Sequence, residues 1–207
     1  MIDTEAKIRR VREVGPETVA VEIVSPDNFD PKPGQFVKVT AWVDGEHVPR
    51  FYTLSSPDAA ETFEVTVEVE SDGTLGPWLE TASGESVRIE GPYGRAYYDG
   101  EPSTLVIAGG PGIGPAVGIG ERAIADNNGV TIVFGGEEPP HRERLADLAD
   151  AGAELRLTAD IHAAVAETYT GDANVLVYGF QEFVTEALAA IEAAGGDPDD
   201  AGVENFG

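Results

Sequence analysis

Three short segments combine residue types that can hold a phosphorylated ring compound. The first is Arg50-Phe51-Tyr52-Thr53-Leu54-Ser55-Ser56-Pro57. Arginine forks onto phosphate oxygens, Tyr52 can stack on a flat ring, and Thr53 can hydrogen-bond the ring's edge. Taken alone, it reads better as a strand end with a surface arginine. The second is Asp72-Gly73-Thr74-Leu75-Gly76-Pro77-Trp78-Leu79, a turn leading into a short helix. Such a turn either presents N–H groups to phosphate or is simply a turn. The third is Ala108-Gly109-Gly110-Pro111-Gly112-Ile113-Gly114-Pro115. It follows an apolar run and opens a helix, with Pro115 suited to the first helical position. Glycine lets backbone approach a ligand closely, and the helix start attracts anions. The run lacks the third glycine of the GxGxxG fingerprint, so it is a phosphate loop or a tight turn.

The elements that must position these segments change character midway. Phe63–Glu70 alternates apolar and polar residues, the pattern of a strand with one wet face. Val19–Val24, Phe36–Thr40 and Val87–Glu90 read as further short strands, punctuated by Gly and Pro clusters. Together they suggest a small antiparallel barrel. Beyond residue 103, Leu105–Ala108, Thr131–Phe134 and Val175–Tyr178 are continuous apolar runs, as in a parallel sheet covered on both faces. Leu155–Leu157 is a weaker fourth strand. Helices are expected over His141–Asp150, Ile161–Thr168 and a stretch presenting Phe183, Val184, Ala187, Leu188 and Ile191 on one face, stopped by Gly195-Gly196. The expected organisation is two domains, 1–99 and 103–207. The first is an antiparallel β-barrel and the second an α/β parallel-sheet domain.

Composition narrows the chemistry. With 13 Lys+Arg against 38 Asp+Glu, the formal charge is −25, which argues against a nucleic-acid partner. No cysteine is present, so disulfides and Cys-ligated zinc or iron–sulfur sites are excluded. His47, His141 and His162 lack metal-ligand spacing and are expected on the surface or at helix ends. Trp42 and Trp78 are expected to pack. The N-terminus carries no apolar run and no membrane span is evident, so the expectation is a cytoplasmic protein without membrane insertion. The acid excess runs along the whole chain, and lysine is reduced to Lys7, Lys32 and Lys38, which suggests a halophilic, salt-adapted protein. At ~1 M salt the Debye length falls to roughly 3 Å and self-repulsion is screened. The expected result is loss of structure at low salt. It is read as a melting temperature that rises from dilute buffer to molar KCl, and a salt-independent value refutes it.

The order Arg-Phe-Tyr-Thr, then Gly-Thr-Leu-Gly-Pro-Trp-Leu, then Gly91-Pro92-Tyr93-Gly94, then Ala-Gly-Gly-Pro-Gly-Ile-Gly-Pro resembles the ferredoxin–NADP reductase superfamily. The closing Val203-Glu204-Asn205-Phe206-Gly207 is similar to the ends of many members. The resemblance implies a flavin-binding barrel, a pyridine-nucleotide domain, and FAD lying between them. It implies that Arg50 binds the flavin pyrophosphate, that Tyr52 packs on the flavin ring, and that Thr53 reaches flavin N5. Phe51 and Ser55 belong to the same cofactor-binding segment. Gly73, Thr74 and Leu75 would offer N–H groups to the pyrophosphate. Gly76 stands where the family has Ser or Thr. Gly109, Gly110, Pro111, Gly112, Gly114 and Pro115 would hold the nicotinamide dinucleotide. Phe206 would cover part of the flavin. Tyr178-Gly179-Phe180 stands where the family has Cys-Gly-Pro. By that placement Thr53, Tyr178 and Glu204 lie nearest the reacting atoms, and a bulky Tyr178 would reshape nicotinamide entry.

Gly135-Gly136-Glu137-Glu138 follows the second strand of the nucleotide half. A carboxylate there accepts from a ribose 2′-OH and repels a 2′-phosphate, so Glu137 favours NADH over NADPH. The activity implied is hydride transfer from NAD(P)H to FAD, then electron delivery to an external acceptor. That acceptor would be a ferredoxin, another small redox protein or an oxygenase component. The alternatives are an electron-transfer subunit of a larger redox complex, and a flavin-binding module without turnover.

Overall fold

The computed structural model describes residues 1–136 and 138–207. Its first sheet is built from β1 (Ile2–Gly15), β2 (Thr18–Val24), β3 (Phe36–Val43), β4 (Glu46–Thr53), β5 (Thr62–Glu68) and β6 (Ser86–Tyr93), with helix α1 (Leu75–Glu80) before the last strand. All pairings are antiparallel, in the order β4-β3-β6-β1-β2-β5. Inward-facing Ile8, Val21, Ile23, Val39, Phe63, Val65 and Ile89 fill its concave side, with Leu75 and Leu79 of α1 packed against them. The sheet curls until its two edges approach, with a bridge between Leu54 and Val65. That curl sets the Arg50–Thr53 segment, at the end of β4, beside the end of β5.

Two strands of this sheet carry no clear alternation. In β1 only Ala6 and Ile8 are buried among fourteen residues, too few to mark a strand. β4 lies at the sheet edge, is mostly exposed and contains Pro49, a residue tolerated at an edge because it donates no ladder bond.

The second sheet contains β7 (Ser103–Gly109), β8 (Gly129–Gly135), β9 (Glu154–Thr158), β10 (Asn174–Gly179) and β11 (Gly202–Asn205). They are parallel, in the order β11-β10-β7-β8-β9. Helices α2 (Ile113–Ala125) and α3 (Arg142–Asp150) cover one face, where Ile113, Val117 and Leu145 pack on Val106 and Ile132. Helices α4 (Ile161–Thr168) and α5 (Gln181–Ala193) cover the other, where Val165, Val184 and Ile191 pack on Ile107 and Val177. Burial on both faces is why these strands read as unbroken apolar runs. α5 ends where expected, with Gly195 at φ +89° and the Gly196 N–H donating to Ile191 O. The chain leaves β7 toward β8 and β10 toward β11. The ends of β7 and β10 therefore form a switch point, where open α/β sheets place their ligand crevice.

The two-domain architecture, antiparallel then α/β, is as expected. One expectation about the barrel's wet face is corrected. Glu64 and Thr66 on β5 are 8% and 5% exposed, because the second domain lies over them. A Cβ on Gly114 would sit 2.7 Å from the Thr66 side chain, and one on Gly118 would sit 2.9 Å from the Ser55 backbone. Glycine at these positions lets α2 close onto the first domain.

Candidate active site at the domain junction

Between the domains lies a cleft of about 270 Å³. From the first domain it is walled by Arg50, Phe51, Tyr52 and Thr53 of β4, Thr66 of β5, and the Gly73–Gly76 turn. From the second come Pro111, Pro115, Phe180 and Phe206. A second cleft of about 340 Å³ adjoins it and includes Phe36, Glu204 and Asn205. Phe51, Thr53 and Phe206 line both, so the Thr53 side chain marks the junction.

The first cleft has aromatic walls and one cation. Tyr52 is largely buried, and burial pushes its phenol up to about 12 despite the opposing Arg50 charge, so it stays neutral. Arg50 is exposed, and its Nη1 donates to the neighbouring Pro49 O at 2.8 Å. No carboxylate pairs with it among the described residues, and the remaining guanidinium donors are open to an anion. It is the only Lys or Arg lining either cleft among the described residues. Two carboxylates, Glu68 and Glu70, share that lining. Sequence reasoning missed them because they continue the wet face of β5. Helix α1 starts at Leu75 with no side-chain cap from Thr74, which leaves its first-turn N–H groups available.

Glu204 lies on the closing strand β11, held beside β10 by parallel pairing. Burial raises its carboxyl to about 7, so it can carry or release a proton near neutrality. The Phe206 N–H donates to Gly179 O at 3.0 Å. Phe206 stands edge-on to Phe180 with centroids 6.0 Å apart.

Several expected residues lie elsewhere. Tyr178 lines neither cleft. It is fully buried, and its hydroxyl donates to Ala96 O at 2.8 Å, so it does not reshape entry to either cleft. Ser55 is fully buried and donates to Glu64 at 3.0 Å. The Gly73 N–H is donated to Glu70 O at 2.9 Å, leaving it unavailable to a phosphate. Gly109 and Gly179 are packed under the Phe183 ring, which a Cβ would meet at 2.5 and 2.6 Å. A Cβ on Gly112 would meet Tyr178 O at 2.3 Å. These glycines, with Gly114, serve internal packing, and Pro111 and Pro115 are what the loop presents to the cleft. Gly110 takes φ +55° beside the Phe180 ring. A single 3₁₀ turn, Gly110–Gly112, precedes α2 and places Pro115 third in the helix, not first. Glu137 lies outside the described residues. Among the tryptophans, Trp78 packs on the barrel core, but Trp42 is 59% exposed beside His47.

His141 stands at a helix end, one of its two expected places, but not at the surface. It precedes α3 at φ +59° and is 3% exposed. Its Nε2 lies 2.7 Å from Thr66 Oγ1. Arg144, one turn on, donates to Glu121, to Glu64 at 2.8 Å and to Ser55 O at 2.6 Å. Arg12 reaches the same Glu64. This network ties α2 and α3 to the first domain. Its Glu64–Arg144 pair spans 80 positions, so no local motif announces it.

Residues 7–98 match the family model of the oxidoreductase FAD-binding domain. The chain is 33% identical over 108 residues to the glycine betaine monooxygenase reductase subunit of Pseudomonas aeruginosa, half of this chain and 30% of that one. It is 30% identical over 188 residues to a probable dihydroorotate dehydrogenase B (NAD(+)) electron transfer subunit of Methanocella arvoryzae, 88% of this chain and 62% of that one. The flavohem-like FAD/NAD binding domain of nitric oxide dioxygenase from Vibrio cholerae superposes with a TM-score of 0.84 at 19% identity, covering 98% of both chains. The chain spans about a third of the length of the first curated relatives it matches.

Proposed function

We propose that this chain, whose residues 7–98 match the oxidoreductase FAD-binding domain, is a ferredoxin reductase-type FAD/NAD oxidoreductase that takes electrons from NAD(P)H and passes them to an external acceptor. The observation that carries the reading is the junction cleft. It joins a cation without a carboxylate partner among the described residues, aromatic walls and a hydroxyl from one domain to Pro111 and Pro115 of the glycine-rich loop and to Phe180 and Phe206 of the other. The residues present fit FAD: Arg50 and the uncapped first turn of α1 suit the pyrophosphate, and Tyr52 and Phe206 suit the ring. Bound flavin would accept hydride from the nicotinamide and release electrons onward. Thr53 would hydrogen-bond the ring edge at the meeting of the clefts. Phe180 and Phe206 would exclude water, and Glu204 would hold a proton beside the second cleft.

NADH is favoured over NADPH. Arg144 is 18% exposed and spent on Glu121 and Glu64, and Arg142 pairs with Glu138 at 3.4 Å. Neither stands free for a 2′-phosphate. The acceptor is a small redox protein such as a ferredoxin, or an oxygenase component. The alignment covering 88% of this chain favours a second reading, an electron-transfer subunit of a larger complex. The motive for a module without turnover is weakened, since Tyr178 is buried and lines neither cleft.

The test mixes FAD-loaded protein with NADH or NADPH anaerobically and follows the flavin absorbance. Rapid bleaching by NADH, with kcat/KM at least ten-fold above NADPH, is expected. Equal efficiency overturns the NADH preference. Persistent colour with both nucleotides overturns the enzymatic reading. Among the described residues, no helix is long and apolar enough to cross a membrane, and no group of side chains is arranged to hold a metal.

A further inference from the structure

Thr66 belongs to both the cleft lining and the domain-bridging network. The protons of that contact can be assigned from its neighbours. Arg144 Nη1 faces His141 Nδ1 at 3.5 Å. A guanidinium can only donate, so Nδ1 must present its lone pair. A proton on Nδ1 would put two donors face to face. The imidazole is neutral, because burial and the Arg144 and Arg12 charges depress its pKa to about 3. The single ring proton therefore sits on Nε2 and is donated to Thr66 Oγ1, 2.7 Å away.

That leaves the Thr66 hydroxyl with its own proton to place. Thr66 is 5% exposed, and its Oγ1 has no second protein partner among the described residues. A buried donor left without an acceptor costs about 1–3 kcal/mol. The Gly114 backbone closes one side of the side chain, and the junction cleft lies on another.

We propose that Thr66 is a cofactor-binding residue whose hydroxyl donates to an acceptor oxygen of the ligand in the junction cleft. His141 is a positioning residue that holds the hydroxyl in that sense through Arg144. This rests on the flavin reading of the cleft. The acceptor is a ring carbonyl or a phosphate oxygen of the flavin nucleotide. The chain of donors runs from α3 through β5 into the cleft, so cofactor binding and domain docking share these residues.

The experiment titrates FAD into the full chain by fluorescence quenching. It compares wild type with Thr66→Val, Thr66→Ser, His141→Leu and His141→Gln. Thr66→Val is expected to weaken FAD about five-fold, the worth of one net hydrogen bond. Thr66→Ser is expected to match wild type. His141→Leu should weaken FAD two- to three-fold, and His141→Gln, which keeps a donor, should recover most of that. A moved flavin carbonyl band in the Raman spectrum of Thr66→Val identifies a ring oxygen. A moved ³¹P resonance identifies a phosphate. Should the valine variant lose its fold by circular dichroism, Thr66→Ala carries the same comparison. Unchanged affinity, carbonyl band and ³¹P shift in a folded variant overturn the proposal. Wild type that takes no FAD overturns the flavin reading, and this proposal with it.

Discussion

Replacing Arg50 with alanine is expected to weaken FAD binding about 100-fold, the largest effect of any single change in the cleft. A bidentate guanidinium–phosphate contact is charge-assisted and worth roughly 3 kcal/mol, and each 1.4 kcal/mol is ten-fold. The surroundings sharpen the dependence. Arg50 is the only cation lining the cleft among the described residues, and Glu68 and Glu70 line it too. Without Arg50 the ligand's phosphates would face two carboxylates on a chain of formal charge −25. Arg50→Lys keeps the charge but loses the planar fork, and an intermediate loss is expected. Fluorescence titration with FAD, at low salt and in molar KCl, makes the measurement. Riboflavin, which has no phosphate, is the control, and its affinity should not change. Equal loss for riboflavin and FAD would show that Arg50 supports the fold or the ring, not the phosphates.

The second large effect is on stability. Arg144→Met is expected to lower the melting temperature by about 10 °C. Removing one partner of a buried ion pair costs about 3–5 kcal/mol, and for a chain of this size each kcal/mol moves the midpoint by about 2–4 °C. Glu64 is the acceptor at risk, since it takes bonds from Arg144, Arg12 and Ser55 at once. Glu121 loses its bidentate partner as well. Burial opposes the Arg144 charge, but Glu121 and Glu64 outweigh it and keep its pKa raised. The opposite design checks the cause. Replacing Arg144, Glu64 and Glu121 together by apolar residues of similar size should recover much of the loss, because the three buried charges leave together and the Arg12 left behind is exposed enough for water to solvate it. Calorimetry in molar KCl separates this buried term from surface repulsion, which salt screens. A fall under 2 °C for Arg144→Met would mean that water enters the junction and solvates these groups.

The architecture was legible because each half obeys one period. Phe63–Glu70 alternates over a filled barrel face, and Leu105–Ala108, Thr131–Phe134 and Val175–Tyr178 are apolar throughout because helices cover both sides. Gly195-Gly196 ended α5 as expected. The ordered segments around Arg50, Gly73 and Gly109 pointed to the domain junction, and Arg50, Tyr52, Thr53, Thr74, Leu75 and Phe206 do line one cleft. These are local properties: a period, a turn, a residue type at a chain position.

Tertiary structure decided what each side chain faces. Glu64 and Thr66 look like solvated positions of a strand, yet the second domain covers them, and only the sheet's curl and α2's close approach put it there. His141 looks like a surface or helix-end histidine; it does start a helix, but it becomes a buried donor because Val14, Thr66 and Arg144 surround it. Tyr178 holds a motif position but turns into the core. Gly109 and Gly112 look like a ligand cradle, but the space in front of them belongs to Phe183 and Tyr178. A sequence sets which groups are available and how they alternate. Which of them meet across 80 residues depends on how two sheets dock, and no local pattern encodes that distance.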